Sequence, residues 1–248
     1  MDMGKGLTYV GRGASLLTHP QLRVFVLLPL LVNILLFGLG IGLIFSYAGG
    51  WVDSTLAVLP DWLSGLAWLL WLLLTLMVAM GVFWGFNLVA NLIAAPFNGI
   101  LAERTQMLLT GTPVDGGGWD DMLRMIPGAI AREVQKLLYY LPRVLGLFFL
   151  GLIPGMQVLV PWLWLLFGAW MMAIQYVDYP MDNNRISFRN MRKLLAKRKL
   201  LHVGFGGGIS LLLMVPFVNF FVMPIAVVGA TALWVDEHAH RVSEVVDN

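Results

Sequence analysis

Asp, Glu, Lys and Arg are missing from four long stretches of the chain: residues 24–52, 62–102, 144–177 and 203–235. A bilayer's hydrocarbon core is about 30 Å thick and takes roughly 20 helical residues to cross. The first stretch therefore reads as one spanning helix over 24–47. The second reads as another over 62–95, longer than a crossing requires and so tilted or protruding. Between them, Gly49-Gly50-Trp51-Val52-Asp53 and Pro60-Asp61-Trp62 make a turn with a Trp at each edge, where interfacial residues belong. The apolar run at 24–47 exceeds the roughly 7–15 residues of a signal peptide core, so it reads as a span despite the small residues at Ser46-Tyr47-Ala48.

The third and fourth stretches are interrupted. Ile153-Pro154-Gly155 and Pro161 break the third; Gly206-Gly207-Gly208, Pro216 and Pro224 break the fourth. Each half is then about 10–15 residues, or roughly 15–22 Å of helix, too short to cross comfortably. Cationic residues point the same way. Lys5, Arg12 and Arg23 lie before the first span, and the 53–61 loop has none. Five cations fall in 103–143 (Arg104, Arg124, Arg132, Lys136, Arg143) and seven in 178–202 (Arg185, Arg189, Arg192, Lys193, Lys197, Arg198, Lys199). Positive residues concentrate on the cytoplasmic side, so 144–177 must start and end there, which makes it a hairpin. The same logic makes 203–235 a second one. The hairpins share a pattern, with Pro154, Pro161 and a closing Tyr176-Val177-Asp178 matched by Pro216, Pro224 and Trp234-Val235-Asp236. The alternative is a plain six-span bundle, which needs two very short spans per hairpin. Hairpin tips at membrane depth expose backbone polar groups, tolerated only against protein or a water-lined path. Homo-oligomerisation is therefore expected.

Composition agrees with this picture: 59% of residues are hydrophobic and 12% charged, against about 25% charged in ordinary soluble domains. A soluble monomer and a disordered chain are both excluded. There is no Cys, so disulfides and thiolate chemistry are absent, and a net charge of +2 is too weak to argue for nucleic acid.

Candidate chemistry is sparse. Among enzyme and nucleotide signatures, Gly-x-Ser-x-Gly, His-Glu-x-x-His and the Walker loop are missing. Asp236-Glu237-His238-x-His240 could ligate a metal on paper, but nothing in a short tail orients it, and neither a metal nor a cofactor is expected. Anion handling is better supported. Thr18-His19-Pro20-Gln21-Leu22-Arg23 precedes the first long helix, and a helix N-terminus offers free N–H groups and positive partial charge to an oxyanion. Arg23 adds a full charge there, or serves as a snorkelling anchor. In the second stretch, Asn87, Asn91 and Asn98 are rare polar residues. Asn91 and Asn98 share a face two turns apart, facing either a cavity or a neighbouring helix. Segment 128–141 is amphipathic, with Val134, Leu137, Leu138 and Leu141 in one stripe and Arg132, Glu133 and Lys136 elsewhere. It reads as a solvated or membrane-surface helix, with Glu133 and Lys136 as a modest surface pair. Glu103 and Arg104, at the cytoplasmic end of the long helix, could join Arg132 and Glu133 at a pathway mouth. The run 185–199 reads as a topology signal that also contacts anionic lipid.

Several longer stretches are more specific: 20–33 (Pro-Gln-Leu-Arg-Val-Phe-Val-Leu-Leu-Pro-Leu-Leu-Val-Asn), 90–99 (Ala-Asn-Leu-Ile-Ala-Ala-Pro-Phe-Asn-Gly), Tyr-Leu-Pro-Arg at 140–143, 173–183 (Ala-Ile-Gln-Tyr-Val-Asp-Tyr-Pro-Met-Asp-Asn) and 229–236 (Gly-Ala-Thr-Ala-Leu-Trp-Val-Asp). In these the chain resembles the CysZ-type sulfate permeases of the bacterial inner membrane, over essentially its whole length. The resemblance implies sulfate uptake for cysteine synthesis, through two long membrane helices and half-penetrating hairpins. It also implies a sulfate-binding motif, Gly-Leu-Arg-Arg, which falls on Gln21, Leu22, Arg23 and Val24. Gln replaces the Gly and Val the second Arg, so one guanidinium contact, worth roughly 1.5–3 kcal/mol, is missing.

The combined expectation is an all-α integral membrane protein forming a single membrane domain over 1–248. It has spanning helices at 24–47 and 62–95, a cytoplasmic segment at 103–143, re-entrant hairpins at 144–177 and 203–235, and a basic cytoplasmic segment at 178–202. Sulfate and membrane lipid are the expected partners, together with further copies of the chain, in the bacterial inner membrane. Sulfate-binding candidates are Gln21, Leu22 and Arg23; pathway candidates are Asn91, Asn98, Glu103, Arg104, Arg132 and Glu133. The rivals are a transporter of another oxyanion, such as phosphate or thiosulfate, and a non-transporting assembly factor.

Overall fold

The computed structural model describes residues 2–43, 67–112 and 119–241, with Gly50, Ser54 and Ala57 besides, and among these residues there is no strand. The helices are α1 (Asp2–Leu16), α2 (Pro20–Leu43), α3 (Ala67–Thr110), α4 (Trp119–Gly151), α5 (Val160–Asn183), α6 (Phe188–Lys197), α7 (Lys199–Leu213) and α8 (Asn219–Glu237). They divide into two compact units, Met1–Val26 with Asn98–Asn248, and Leu27–Phe97.

In the larger unit the chain reverses at two of the expected places. After α4 it turns through Pro154 and Gly155, the latter at φ +88°, where a residue without Cβ is favoured, then through a short 3-10 turn at Met156–Val158. After α7 it turns at Pro216 and Phe217, the latter at φ +65°. The other expected breaks do not interrupt the helices. Pro161 occupies the first turn of α5, where its missing N–H has no intrahelical partner to lose. Pro224 lies inside α8, and Gly206-Gly207-Gly208 inside α7. The second half of each hairpin is consequently longer than 10–15 residues, while α7, at 15 residues, keeps to that length. α5 has 24 and α8 has 19, about 36 and 28 Å long, and both are long and apolar enough to cross a membrane.

The glycines of α7 are there for packing. A Cβ on Gly206 would overlap the Ala169 carbonyl of α5, and one on Gly204 would overlap the Met3 carbonyl of α1. α7 thus lies backbone to backbone with two helices. α8 fills the centre: Ile225 through Trp234 is a continuous buried run. α1 rests on both α7 and α8, its Gly6 against Leu201 and Phe205 and its Gly13 against Ile225 and Gly229.

α6 is the amphipathic helix of the basic segment. Ser187 Oγ accepts the Asn190 N–H at 3.3 Å to cap it, and Phe188, Met191, Leu194 and Leu195 turn into the core. α4 inverts the expectation for segment 128–141. Its charges face inward, with Arg132 9% and Lys136 5% exposed, whereas Val134, Leu137, Leu138 and Leu141 are 47–66% exposed. It is therefore not a solvated face. Lys136 is buried beside Glu133, so theirs is not a surface pair.

In the smaller unit, Leu31, Ile34 and Leu35 on α2 and Trp68, Met77 and Trp84 on α3 are each more than half exposed. Apolar surface on that scale needs lipid or protein against it. α3 continues through Pro96 to Thr110, so Glu103 and Arg104 lie within the helix and not at its end.

Candidate functional site

α4 and α5 run antiparallel, and each carries two ionic residues at an i, i+4 spacing: Arg132 and Lys136 on α4, Asp178 and Asp182 on α5. That spacing puts each pair on one face, and the faces meet. Arg132 Nε donates to Asp178 Oδ1 at 2.6 Å, and Lys136 Nζ reaches Asp178 Oδ2 at 2.8 Å. Arg132 Nη1 also donates to Asp182 Oδ1 at 2.8 Å and to the Ile186 carbonyl at 2.7 Å. Glu133 closes on Lys136 at 2.6 Å. Burial alone would push the Lys136 ammonium down, but Asp178, with Glu133 behind it, more than offsets this, and its pKa is raised. Arg132 Nη2 is buried and without a hydrogen-bond partner.

Around this network α3 is held to α5 by amide groups. Asn98, 7% exposed, donates to the Tyr179 hydroxyl at 3.3 Å and sits 3.2 Å from Met223 sulfur. Asn183 donates to the Gly99 carbonyl at 2.8 Å, and Gln106 and Asn184 exchange hydrogen bonds at 2.8 and 3.1 Å. Lys136 Nζ lies 5.9 Å from the Tyr179 ring centroid, joining the two groups.

At the start of α2, Leu22 is fully buried while Gln21 and Arg23 are exposed. The first amides of this helix are largely committed: Leu22 and Arg23 donate to the His19 carbonyl at 3.0 and 3.3 Å, and Gln21 N lies 3.4 Å from His19 Nδ1. Arg23 Nε donates to the Thr18 carbonyl at 2.8 Å, which leaves its terminal nitrogens outward.

A further network ties the chain's ends together. Glu237 pairs with Lys5 at 2.5 Å, accepts the Tyr9 hydroxyl at 2.8 Å and meets Arg198; Asp236 meets Arg12. Burial, reinforced by Glu237 and Asp236, raises the Tyr9 phenol. His202 Nδ1 lies 2.9 Å from the Arg198 carbonyl and its Nε2 lies 3.0 Å from His238 Nε2. The first contact makes His202 Nδ1 a donor, so its Nε2 must accept from His238, and burial pushes the His202 imidazole down to about 4. Asp236, Glu237 and His238 are thus engaged in side-chain pairs, and no cluster of three metal-ligating side chains occurs among the described residues.

Of the pathway candidates, the structure brings Asn98, Arg132 and Glu133 into one connected region. Glu103, its carboxyl raised by burial against the opposing pull of Arg104, takes no part in it. Nor does Arg104, whose guanidinium lies 5.9 Å from the Phe25 ring centroid. The Asn91 side chain lies outside the described residues.

The motif stretches at 173–183 and 90–99 thus supply many of the contacts around the buried ion network. A family profile described as sulfate transporter CysZ/etoposide-induced protein 2.4 matches residues 9–224. The chain belongs to this family. It is 46% identical over 238 residues to the sulfate transporter CysZ of Pseudomonas fluorescens strain Pf0-1, covering 94% of this chain and 93% of that one. The corresponding figures for the sulfate transporter CysZ of Pseudomonas aeruginosa PAO1 are 44% over 237 residues, with 95% and 96% covered. The family is one of transporters, and this member of it is not an enzyme.

Sequence reasoning missed Asp178 and Asp182 as the partners of Arg132 and Lys136. The signal was available, since a cationic pair on α4 and an acidic pair on α5 recur at the same i, i+4 spacing, and the acidic pair holds the only charges of α5.

Proposed function

We propose that this protein carries sulfate across the bacterial inner membrane, supplying it for assimilation into cysteine. The observation that carries the reading is the match, over 94% of the chain, to a relative named sulfate transporter CysZ. The outward terminal nitrogens of Arg23 and the Gln21 amide are the first contact for the anion, while Leu22 anchors the helix end in the core. We assign Asn98 to the path beyond them, with Asn91 seven residues before it in the sequence, and Glu103 and Arg104 further along the same helix to its mouth, apart from the ion network. Arg132 offers it the remaining Nη2, and Glu133 keeps Lys136 in place. Donors of this kind replace the water of a dianion that carries no proton of its own.

The two hairpins dip into the membrane from the cytoplasmic side, and α2 and α3 span it. Uncharged tips support this, Ile153 to Leu159 in one and Met214 to Val218 in the other, with Val158 75% and Phe217 82% exposed. Exposed apolar surface on α2 and α3 is covered by lipid and by further copies of the chain in a homo-oligomer.

Proteoliposomes holding the purified protein are expected to take up radiolabelled sulfate saturably, with phosphate a poor competitor. Arg23→Ala is expected to weaken half-saturation by roughly tenfold, the loss of a charged contact, without lowering the amount of folded protein. Absence of flux above empty liposomes from folded protein would overturn the reading, and equal competition by phosphate would widen the substrate to oxyanions generally.

A further inference from the structure

One to two turns beyond Lys136, on the same stripe of α4 that carries the ion network, Tyr139 and Arg143 meet α6, and three arginines gather there with no carboxylate partner among the described residues. Arg143 and Arg192 both press on the Tyr139 ring, their guanidinium carbons 3.6 and 4.7 Å from its centroid, and Arg192 also lies 5.2 Å from the Phe188 ring centroid. Arg189 completes the rim of a surface pocket of about 350 Å³ between α4 and α6. Among the described residues no carboxylate pairs with any of the three. Arg192 Nε is buried and makes no hydrogen bond. Two guanidinium groups held against one ring repel each other unless an anion lies between them.

Arg143 belongs to a second pocket as well. This one, of about 410 Å³, is an apolar groove between α4 and α5 that continues from Arg143 along Gly146, Leu147 and Leu150, with Leu163 and Phe167 opposite. Beside it the outward stripe of α4 runs on through Leu145, Phe148 and Phe149, 46–61% exposed and uncharged. A cationic recess thus opens directly into an apolar trough on a surface that needs lipid against it.

We propose that the two pockets form one binding site for an anionic phospholipid. The phosphate sits among Arg143, Arg189 and Arg192, and one acyl chain lies in the groove over Gly146. Charge complementarity selects the headgroup, and the shared Arg143 explains why the occupant has both an anionic head and an apolar tail. A free oxyanion would use the first pocket and leave the groove empty. The site stands on geometry alone and does not depend on what the protein transports.

The test is native mass spectrometry of the full-length, delipidated protein in mild detergent, titrated with phosphatidylglycerol, with phosphatidylcholine and with inorganic phosphate. The unsubstituted protein is expected to retain phosphatidylglycerol at least about tenfold more tightly than phosphatidylcholine, whose phosphate is the same but whose choline cation is repelled by the three arginines. Arg143→Ala combined with Arg192→Ala is expected to abolish that preference. Gly146→Leu fills the groove from a position where a Cβ meets no atom within 4 Å; in folded protein, checked by size exclusion, it is expected to weaken phosphatidylglycerol retention while leaving phosphate untouched. If the double variant does not fold, Arg189→Gln on the exposed face of α6 carries the same test. Equal retention of both lipids, or an unchanged preference in the folded arginine variants, would overturn the proposal. So would displacement of phosphatidylglycerol by millimolar phosphate with Gly146→Leu silent, which would assign the pocket to a free oxyanion.

Discussion

Gly206→Ala is expected to leave almost no folded protein after detergent extraction, while Gly207→Ala, one residue further along α7, extracts normally and melts slightly higher. A methyl group on Gly206 would occupy the position of the Ala169 carbonyl oxygen, with the Ala173 amide 2.8 Å away, so α7 and α5 must separate along their length to admit it. One extra methylene in a packed core already costs about 1–3 kcal/mol when only side chains must move, and here the obstacle is backbone. A methyl on Gly207 meets only the Ala169 Cβ at 3.8 Å, an ordinary contact. It replaces a flexible residue with a better helix former, a gain of up to about 1 kcal/mol. Fluorescence-detected size exclusion of the two variants, expressed in parallel, reads both effects. Similar yields from the two would mean that α7 does not lie on α5 as described.

Asp178→Asn is expected to lower the apparent melting temperature by roughly 6–20 °C, corresponding to about 3–5 kcal/mol for breaking a buried ion pair. Asp178 is the single carboxylate that both Arg132 and Lys136 share, and all three side chains are close to fully buried. Removing its charge leaves Arg132 with Asp182 and Lys136 with Glu133, whose side chains are 48% and 61% exposed and so are weaker partners. Asp182→Asn is the control, expected to cost no more than about 1 kcal/mol, because Arg132 keeps Asp178 and the Ile186 carbonyl. Thermal unfolding in detergent measures both, and equal losses would contradict the unequal sharing described. Replacing Arg132, Lys136 and Asp178 together by Met, Leu and Leu is expected to recover most of the stability, since apolar packing avoids the desolvation that ions incur.

Gaps in charge located the two reversals of the chain at Pro154 and Pro216, because a turn between apolar helices needs residues that stop a helix and nothing that demands water. The same reasoning misread Gly206-Gly207-Gly208 as a break. Glycine is a poor helix former in isolation, but it is the residue that lets two helix backbones touch, and only the position of Ala169 and Met3 shows which role applies. Pro161 was misread for a related reason: one turn earlier or later it would break a helix, and at the first turn it starts one. Periodicity revealed both stripes of segment 128–141 but not which side faced the protein. Its charges turn inward because Asp178 waits on the next helix, and that pairing spans 46 residues of sequence. The exposed positions of Gln21 and Arg23 and the burial of Leu22 fit a helix start whose apolar residue is its anchor. The near-complete use of the local amides by His19 is a matter of main-chain geometry that residue identities do not carry.

The seat of α1 is made of pieces from the far end of the chain, and Tyr9 waits for Glu237, 228 residues later. At a synthesis rate of roughly 5–20 residues per second, the first helix emerges about ten to forty-five seconds before its partner exists. During that interval the glycine face of α1 and its Lys5, Tyr9 and Arg12 have nothing to dock on in α8. A chain released early, before Asn219, keeps the side of that seat built from α7 and lacks the other. Closure of the first helix is therefore a late event that waits for completion of the last one, and a copy ended before Asn219 holds α1 by its α7 side alone.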